Sequence, residues 1–197
     1  MRKFIEENFG ISDEMILRTL LEHGKVETVK RGKLLVTSGE VQTELPVLLK
    51  GIFRGFVLSE EGHEVTDCFA FRPGDFVMGC SGLREVSQVS FEAMCDSEVL
   101  MIPLEPLISA LDASWDLMAL YNHALLDALK RHWELKILLL QCPAMDRYQW
   151  FLKKYPGLID EVSNRHIASF LGMTPVTLSR LRQRVRELTG SADGVFS

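Results

Sequence analysis

From His166 to Glu187 the chain reads HIASFLGMTPVTLSRLRQRVRE. Between Asn164 and Glu187 there are five arginines (165, 180, 182, 184 and 186) against one glutamate, a local charge of +4 in a chain whose net charge is -5. A guanidinium can hold a phosphate, or grip two acceptors on the major-groove edge of guanine, so this composition could bind and read nucleic acid. Such chemistry needs two helices joined by a tight turn. Ala168 is the small residue where the helices cross, and Gly172, four residues on, supplies positive φ for the turn. Thr174 can cap the second helix, and Pro175 suits its first turn. Leu178, Leu181 and Val185 form a buried stripe, with Ile167, Phe170 and Leu171 burying the first helix. The opposite face carries Val176, Thr177, Ser179, Arg180 and Gln183.

The rest of the chain must position that pair. With 197 residues, 47% hydrophobic and 25% charged, it has an ordinary globular composition. Residues 1 to 24 read as helical, with Phe4, Ile5, Met15, Ile16, Leu20 and Leu21 apolar, Ser12 as a cap and Gly24 as a stop. From Val26 to Ile102, short apolar or alternating runs are cut by glycine: VETVKRG, KLLVTSGE, LPVLLKG, IFRGFVLSEEG, HEVTDCFAFRPG, DFVMG, VSFEAM and SEVLMIP. This is the pattern of about eight strands in an all-β roll or barrel. Ser59-Glu60-Glu61-Gly62 reads as a hairpin loop and Pro73-Gly74-Asp75 as a turn. From Ser114, a plausible cap, to Cys142 the apolar steps Leu117, Leu120, Ala124, Ala128, Leu135 and Leu138 predict one helix of about 28 residues, ~42 Å long. A stripe that long calls for a partner, of which a second copy is the simplest. Pro143 ends this helix, AMDRYQWFLKKYPG forms the next, and SADGVFS reads as a frayed end.

A roll, a long helix and a helix-turn-helix, in that order, resemble the Crp/Fnr superfamily of bacterial transcription regulators. The matching text is KRGKLLVTSGE, LLKGIFRGFVLSEEGHEVTDCF and FRPGDFVMG in the roll, then RYQWFLKKYPGL and IASFLGMTPVTLSRLR, the last two resembling Bacteroidetes-type members. The resemblance implies an α+β chain: a cyclic-nucleotide-binding-like, jelly-roll-like β-roll over 1–112, a dimerisation helix over 113–142, and an all-α helix-turn-helix domain over 143–197. It implies a homodimer joined through the 114–142 helix and double-stranded DNA with a near-palindromic site as ligand. RNA polymerase would be a further partner. By this likeness Arg180 falls on the family's central base-reading arginine and is assigned to guanine; Val176 and Ser179 would touch base edges, Val176 at a thymine methyl. Gln183 shares their face, while Asn164, Arg165, Thr174 and Thr177 would hold phosphates. The family's glutamate before that arginine is replaced by Val176, so its target sequence does not transfer, and no β-wing is expected.

The roll departs too. Where nucleotide-binding members place a glutamate for the ribose, this chain has Cys80; where they place an Arg-Ser or Arg-Thr pair for the cyclic phosphate, it has Ser87 and Gln88, with Arg84 a few residues early. A buried phosphate needs a positive partner or N–H donors. Cyclic AMP is therefore not expected to bind, no cofactor is expected, and any effector pocket would draw on Gly79, Cys80, Arg84, Ser87 and Gln88.

Other chemistries find little support. Cys68, Cys80, Cys95 and Cys142 lack metal-site spacing, so free, mostly buried thiols are expected rather than an iron–sulfur cluster. His63, His123 and His132 could ligate haem but read as surface or packing residues. A cupin-like metalloenzyme would need more than His63 and Glu64, which point to opposite faces of a strand. No nucleophile motif, P-loop or GxGxxG is present, and no enzyme is expected. The alternative is a roll that binds a ligand or partner while DNA binding has weakened. No run of about 18 apolar residues or signal-peptide core occurs, so a cytoplasmic protein without membrane contact is expected.

Overall fold

A computed structural model describes residues 2–10, 14–80 and 82–190. The cap expected at Ser12 and the end expected over 191–197 lie outside the described residues. The elements are α1 (Arg2–Phe9), α2 (Glu14–His23), β1 (Lys25–Val29), β2 (Leu34–Val36), β3 (Glu44–Lys50), β4 (Phe53–Leu58), β5 (Glu64–Ala70), β6 (Ser90–Ala93), β7 (Ser97–Pro103), α3 (Leu104–Ala113), α4 (Trp115–Gln141), α5 (Ala144–Lys154), α6 (Leu158–Glu161), α7 (Asn164–Phe170) and α8 (Pro175–Gly190). The chain divides into two compact units, Met1–Leu129 and Lys130–Ser197, the division falling within α4.

In the first unit the strands form two antiparallel sheets, ordered β1-β7-β3 and β2-β6-β4-β5. Both contribute to one core: Val29, Leu48, Val99 and Met101 from the first sheet pack with Val36, Phe53, Ala70, Phe91 and Ala93 from the second. The other face of the first sheet, carried by Leu45, Val47, Leu100 and Ile102, is covered by Ile5, Leu17, Leu107, Leu111 and Leu117 from four helices. This two-sided burial explains why β3 and β7 read as nearly unbroken apolar runs.

Seven strands form among the described residues, not eight. DFVMG makes only an isolated bridge, Phe76 to Val47. Leu48 N donates to Asp75 O at 2.9 Å and Val77 N to Pro46 O at 2.9 Å. In a strand a residue's N–H and C=O point the same way, so Pro46 has no N–H to return to Val77, and the ladder stops there. The Asp75 carboxylate also turns back to accept from Phe71 N and Arg72 N, at 3.0 and 2.9 Å, holding the Pro73-Gly74 turn. The hairpin at Ser59–Gly62 forms as expected, with Gly62 at φ 78° and its N–H donated to Ser59 O at 2.9 Å.

Ser114 breaks α3 from α4 in an extended conformation, φ -132° and ψ 113°, and its hydroxyl accepts from Leu117 N at 3.3 Å. The expected partner-facing stripe of α4 needs correction. Leu117 and Leu120 pack into their own unit's helix-covered core. Other apolar side chains of the helix are exposed: Trp115, Leu139 and, at three- and four-residue steps, Leu126, Leu129, Trp133, Ile137 and Leu140. The long helix carries two apolar faces, and the periodicity of one had hidden the other.

Gly51 shows how tightly the roll is closed. Its φ is 109°, and a Cβ there would come within 2.1 Å of Ser97 Oγ and 2.8 Å of Ser97 Cα. Ser97 cannot retreat, because it is fully buried and its hydroxyl joins Ile52 N to Cys95 O. Gly39 has φ 91° but open space around it. Gly39→Ala should therefore cost only the left-handed penalty, about 1–2 kcal/mol. Gly51→Ala should cost about 4 kcal/mol or more. Urea unfolding midpoints of the two variants check this; equal losses would mean the contact at Ser97 is not limiting.

Candidate nucleic-acid interface

In the second unit, α7 starts at Ser163, whose hydroxyl accepts from His166 N at 3.4 Å. Ile167, Ala168, Phe170 and Leu171 are buried. Phe170 packs edge-on against Phe151 and Tyr155, with centroids at 6.0 and 5.4 Å, and those two rings stack on each other at 5.1 Å. Gly172 turns the chain at φ 60°, and Met173 N returns to Ala168 O at 2.9 Å. Thr174 then caps α8: its Oγ1 accepts from Thr177 N at 3.1 Å and shares a hydrogen bond with Thr177 Oγ1 at 2.9 Å. Leu178 is fully buried, while Leu181 and Val185 are half-buried.

A residue that local patterning missed completes the turn. Arg147, on α5, donates from Nη1 to Leu171 O at 2.7 Å and to Gly172 O at 3.1 Å. These carbonyls end α7 and point into the region where a cation is favoured. A Cβ on Gly172 would stand 3.1 Å from both Arg147 Nη1 and Leu139 Cδ2, so the turn is closed from two sides. No periodic signal could have announced a contact spanning 24 residues of chain.

The arginines separate by role. Arg182 has a side chain only 20% exposed. Its Nη1 donates to Asn164 Oδ1 at 2.7 Å and to Ile159 O at 3.3 Å, and its Nη2 lies 3.5 Å from Asp160 Oδ1. It ties the start of α7 to α8 and is spent on the fold. Arg165, Arg180, Arg184 and Arg186 are exposed. Val176, 60% exposed, Arg180 and Gln183 follow at steps of four and three, with exposed Ser179 beside them, so they share one outward face. Gln183 Nε2 donates to Glu187 Oε1 at 2.9 Å. Thr174 is exposed, and Thr177 and Asn164 are half-buried. Tyr148 is buried, and that burial pushes its phenol up, against the opposing pull of Arg182 and Arg186.

The five candidate effector residues lie on one segment of the roll, but their polar groups are mostly engaged there. Gly79 N donates to Gln42 Oε1 at 3.2 Å, and Gln88 N to Gly79 O at 2.8 Å. Ser87 is buried and its hydroxyl donates to Val89 O at 2.8 Å. A Cβ on Gly79 would fall 2.1 Å from that hydroxyl, so no space separates the two. Cys80 Sγ lies 3.7 Å from Gln42 Oε1, and burial and Glu85 raise its thiol pKa. Arg84, at φ 67°, ion-pairs with Glu105 at 2.7 Å on the surface. The one fully buried arginine of the roll, Arg54, is held between Glu64 and Glu92.

The four cysteines form no disulfide and are half-buried rather than mostly buried. His63, His123 and His132 are exposed. Among the described residues no three His, Cys, Asp or Glu side chains gather as a metal site would require, and no helix is long and apolar enough to cross a membrane.

No protein-family model matches the chain, and no curated protein does. Solved structures do. FixK2 from Bradyrhizobium japonicum superposes with a TM-score of 0.76 at 19% identity, over 84% of this chain and 86% of that one. A candidate regulator of the Crp/Fnr family from Eubacterium rectale gives 0.69 at 19% identity, over 90% and 85%. The c-di-GMP-responsive global regulator CLP from Xanthomonas campestris gives 0.66 at 17%, over 93% and 94%. The chain thus has the fold of Crp/Fnr-type transcription regulators: a β-roll, a long helix and a helix-turn-helix.

Arg147 offers a direct test of how the turn is held. Arg147→Met removes a charged donor from two carbonyls and should cost about 1.5–3 kcal/mol. Arg147→Lys should restore only part, since an ammonium lacks the planar fork. Thermal unfolding followed by circular dichroism reads both; an unchanged midpoint in Arg147→Met would remove Arg147 from the turn's support.

Proposed function

We propose that this protein is a homodimeric, sequence-specific DNA-binding transcription regulator that reads a near-palindromic operator with α8. The observation that carries this reading is the outward face of α8. A capped helix presents Val176, Ser179, Arg180 and Gln183 together, and the arginine needed to hold the fold, Arg182, is a different one. Arg180 would take a guanine edge bidentately and Val176 a thymine methyl. Arg165, Thr174, Thr177 and the free amide of Asn164 would hold phosphates and set register. The exposed α4 residues Leu126, Leu129, Trp133, Ile137 and Leu140 recur at three- and four-residue steps and support a second copy along that helix. A regulator acting at a promoter would sit in the cytoplasm, with RNA polymerase as a further partner. That role assigns the chain no catalysis.

The test is selection from a random duplex library at near-physiological salt, with Arg180→Ala alongside. An inverted repeat is expected, its half-site centres about 34 Å apart or a multiple of that. Arg180→Ala should lose about 1–3 kcal/mol and its preference at one position per half-site. Recovery without a motif, the same for both proteins, would sink the reading and favour a ligand- or partner-binding roll.

The roll is read as closed to cyclic AMP, because Ser87 and Gly79 are packed together and Arg84 is paired with Glu105. Calorimetric titration of the full chain with cyclic AMP should show no binding heat. Micromolar affinity that disappears in Arg84→Ala would overturn this.

A further inference from the structure

In the first unit, the helix-covered face of the β1-β7-β3 sheet is not filled. A pocket with a cavity volume of about 50 Å³ opens there. Ile5 of α1, Val47 of β3, Leu100 of β7, Leu111 of α3, and Leu117 and Tyr121 of α4 are among the side chains that line it. All the lining residues are apolar except Tyr121, whose ring stacks on Phe76 at 6.5 Å. It offers no charged partner to a phosphate or carboxylate and too few polar groups to hold a water well. Apolar cavities stay dry and take up small apolar molecules.

The pocket also lies at the elbow between α3 and α4. Its walls include Leu107 and Leu111, before the extended residue Ser114, and Leu117, Leu120 and Tyr121, after it. A molecule seated there would touch both helices across a junction of one residue. It would therefore favour one direction of α4, the helix that leads into the helix-turn-helix unit. The segment carrying Gly79 and Ser87 has no comparable opening between those two residues.

We infer that this pocket binds a small, uncharged apolar molecule, no larger than a single aromatic ring, as the regulator's effector. The binding site stands on the pocket alone; its role as effector site rests on the DNA-binding reading above.

The probe is toluene, titrated into the full chain carrying ¹³C-labelled Ile, Leu and Val methyl groups. Saturable shifts should be confined to methyls such as Ile5, Val47, Leu100, Leu111 and Leu117, and thermal stability should rise by linkage. Benzoate, the same ring size with a carboxylate, should produce none. Absent saturation, shifts spread equally through the Val29–Phe91 core, or equal binding of benzoate would overturn the site or its apolar class. In Leu111→Phe, which narrows the pocket, the toluene shifts should weaken; the wild-type titration stays decisive if that variant does not fold. On a duplex selected as above, saturating toluene should change affinity about five-fold or more. Unchanged affinity with intact toluene binding would overturn the effector role. A chain that selects no duplex, yet binds toluene at these methyls, would count against the DNA-binding reading and leave the pocket standing.

Discussion

Leu48, Val99 and Met101 turn from the three-stranded sheet into the roll, while Leu45, Val47, Leu100 and Ile102 alternate with them beneath the helices. Burial of one sheet on both faces is the constraint on which the first unit depends. It makes β3 and β7 shared walls of two cores. It sets α1, α3 and the start of α4 against a surface that cannot shift without disturbing the roll. It also explains the pocket, because four helices meeting a twisted sheet do not interdigitate everywhere.

The second unit solves a smaller problem with fewer means. A seven-residue helix has too few internal bonds to hold its own end. Ser163 holds its start, Arg147 holds its end, and Arg182 binds Asn164 on one helix from another. Two of these three supports are arginines donating across the unit. In a basic segment this matters, since a charge used inside the fold is not available to a phosphate. Counting arginines overstates the charge left at the surface, and the hydrogen bonds correct the count.

The roll shares its architecture with the regulators it superposes on. Along the segment from Gly79 to Gln88 the donors face Gln42, Val89 and Glu105, all groups of the protein itself. Polar groups satisfied internally have little to gain from a ligand. The apolar opening at the α3–α4 elbow has the reverse character, with no polar debt and unfilled volume.

Much of this was determined by the sequence alone. The turns and caps at Gly62, Gly74, Gly172 and Thr174 were readable, because positive φ and N-capping are properties of a residue and its immediate neighbours. The long helix, the capped α8 and the buried Leu178 followed from spacing for the same reason. What only the tertiary structure decided involves residues distant in the chain. DFVMG has strand composition but meets a proline on β3 and makes one bridge. Leu117 and Leu120 have the spacing of a dimer seam but are taken by the sheet, leaving the face with Leu126 and Trp133 exposed. Arg180 and Arg182 differ by two positions, yet one is free toward solvent and the other sits against Asn164 and Ile159. Local conformation is set by covalent neighbours and sterics; which of two equal faces or charges is left over is set by packing partners that no short window of sequence contains.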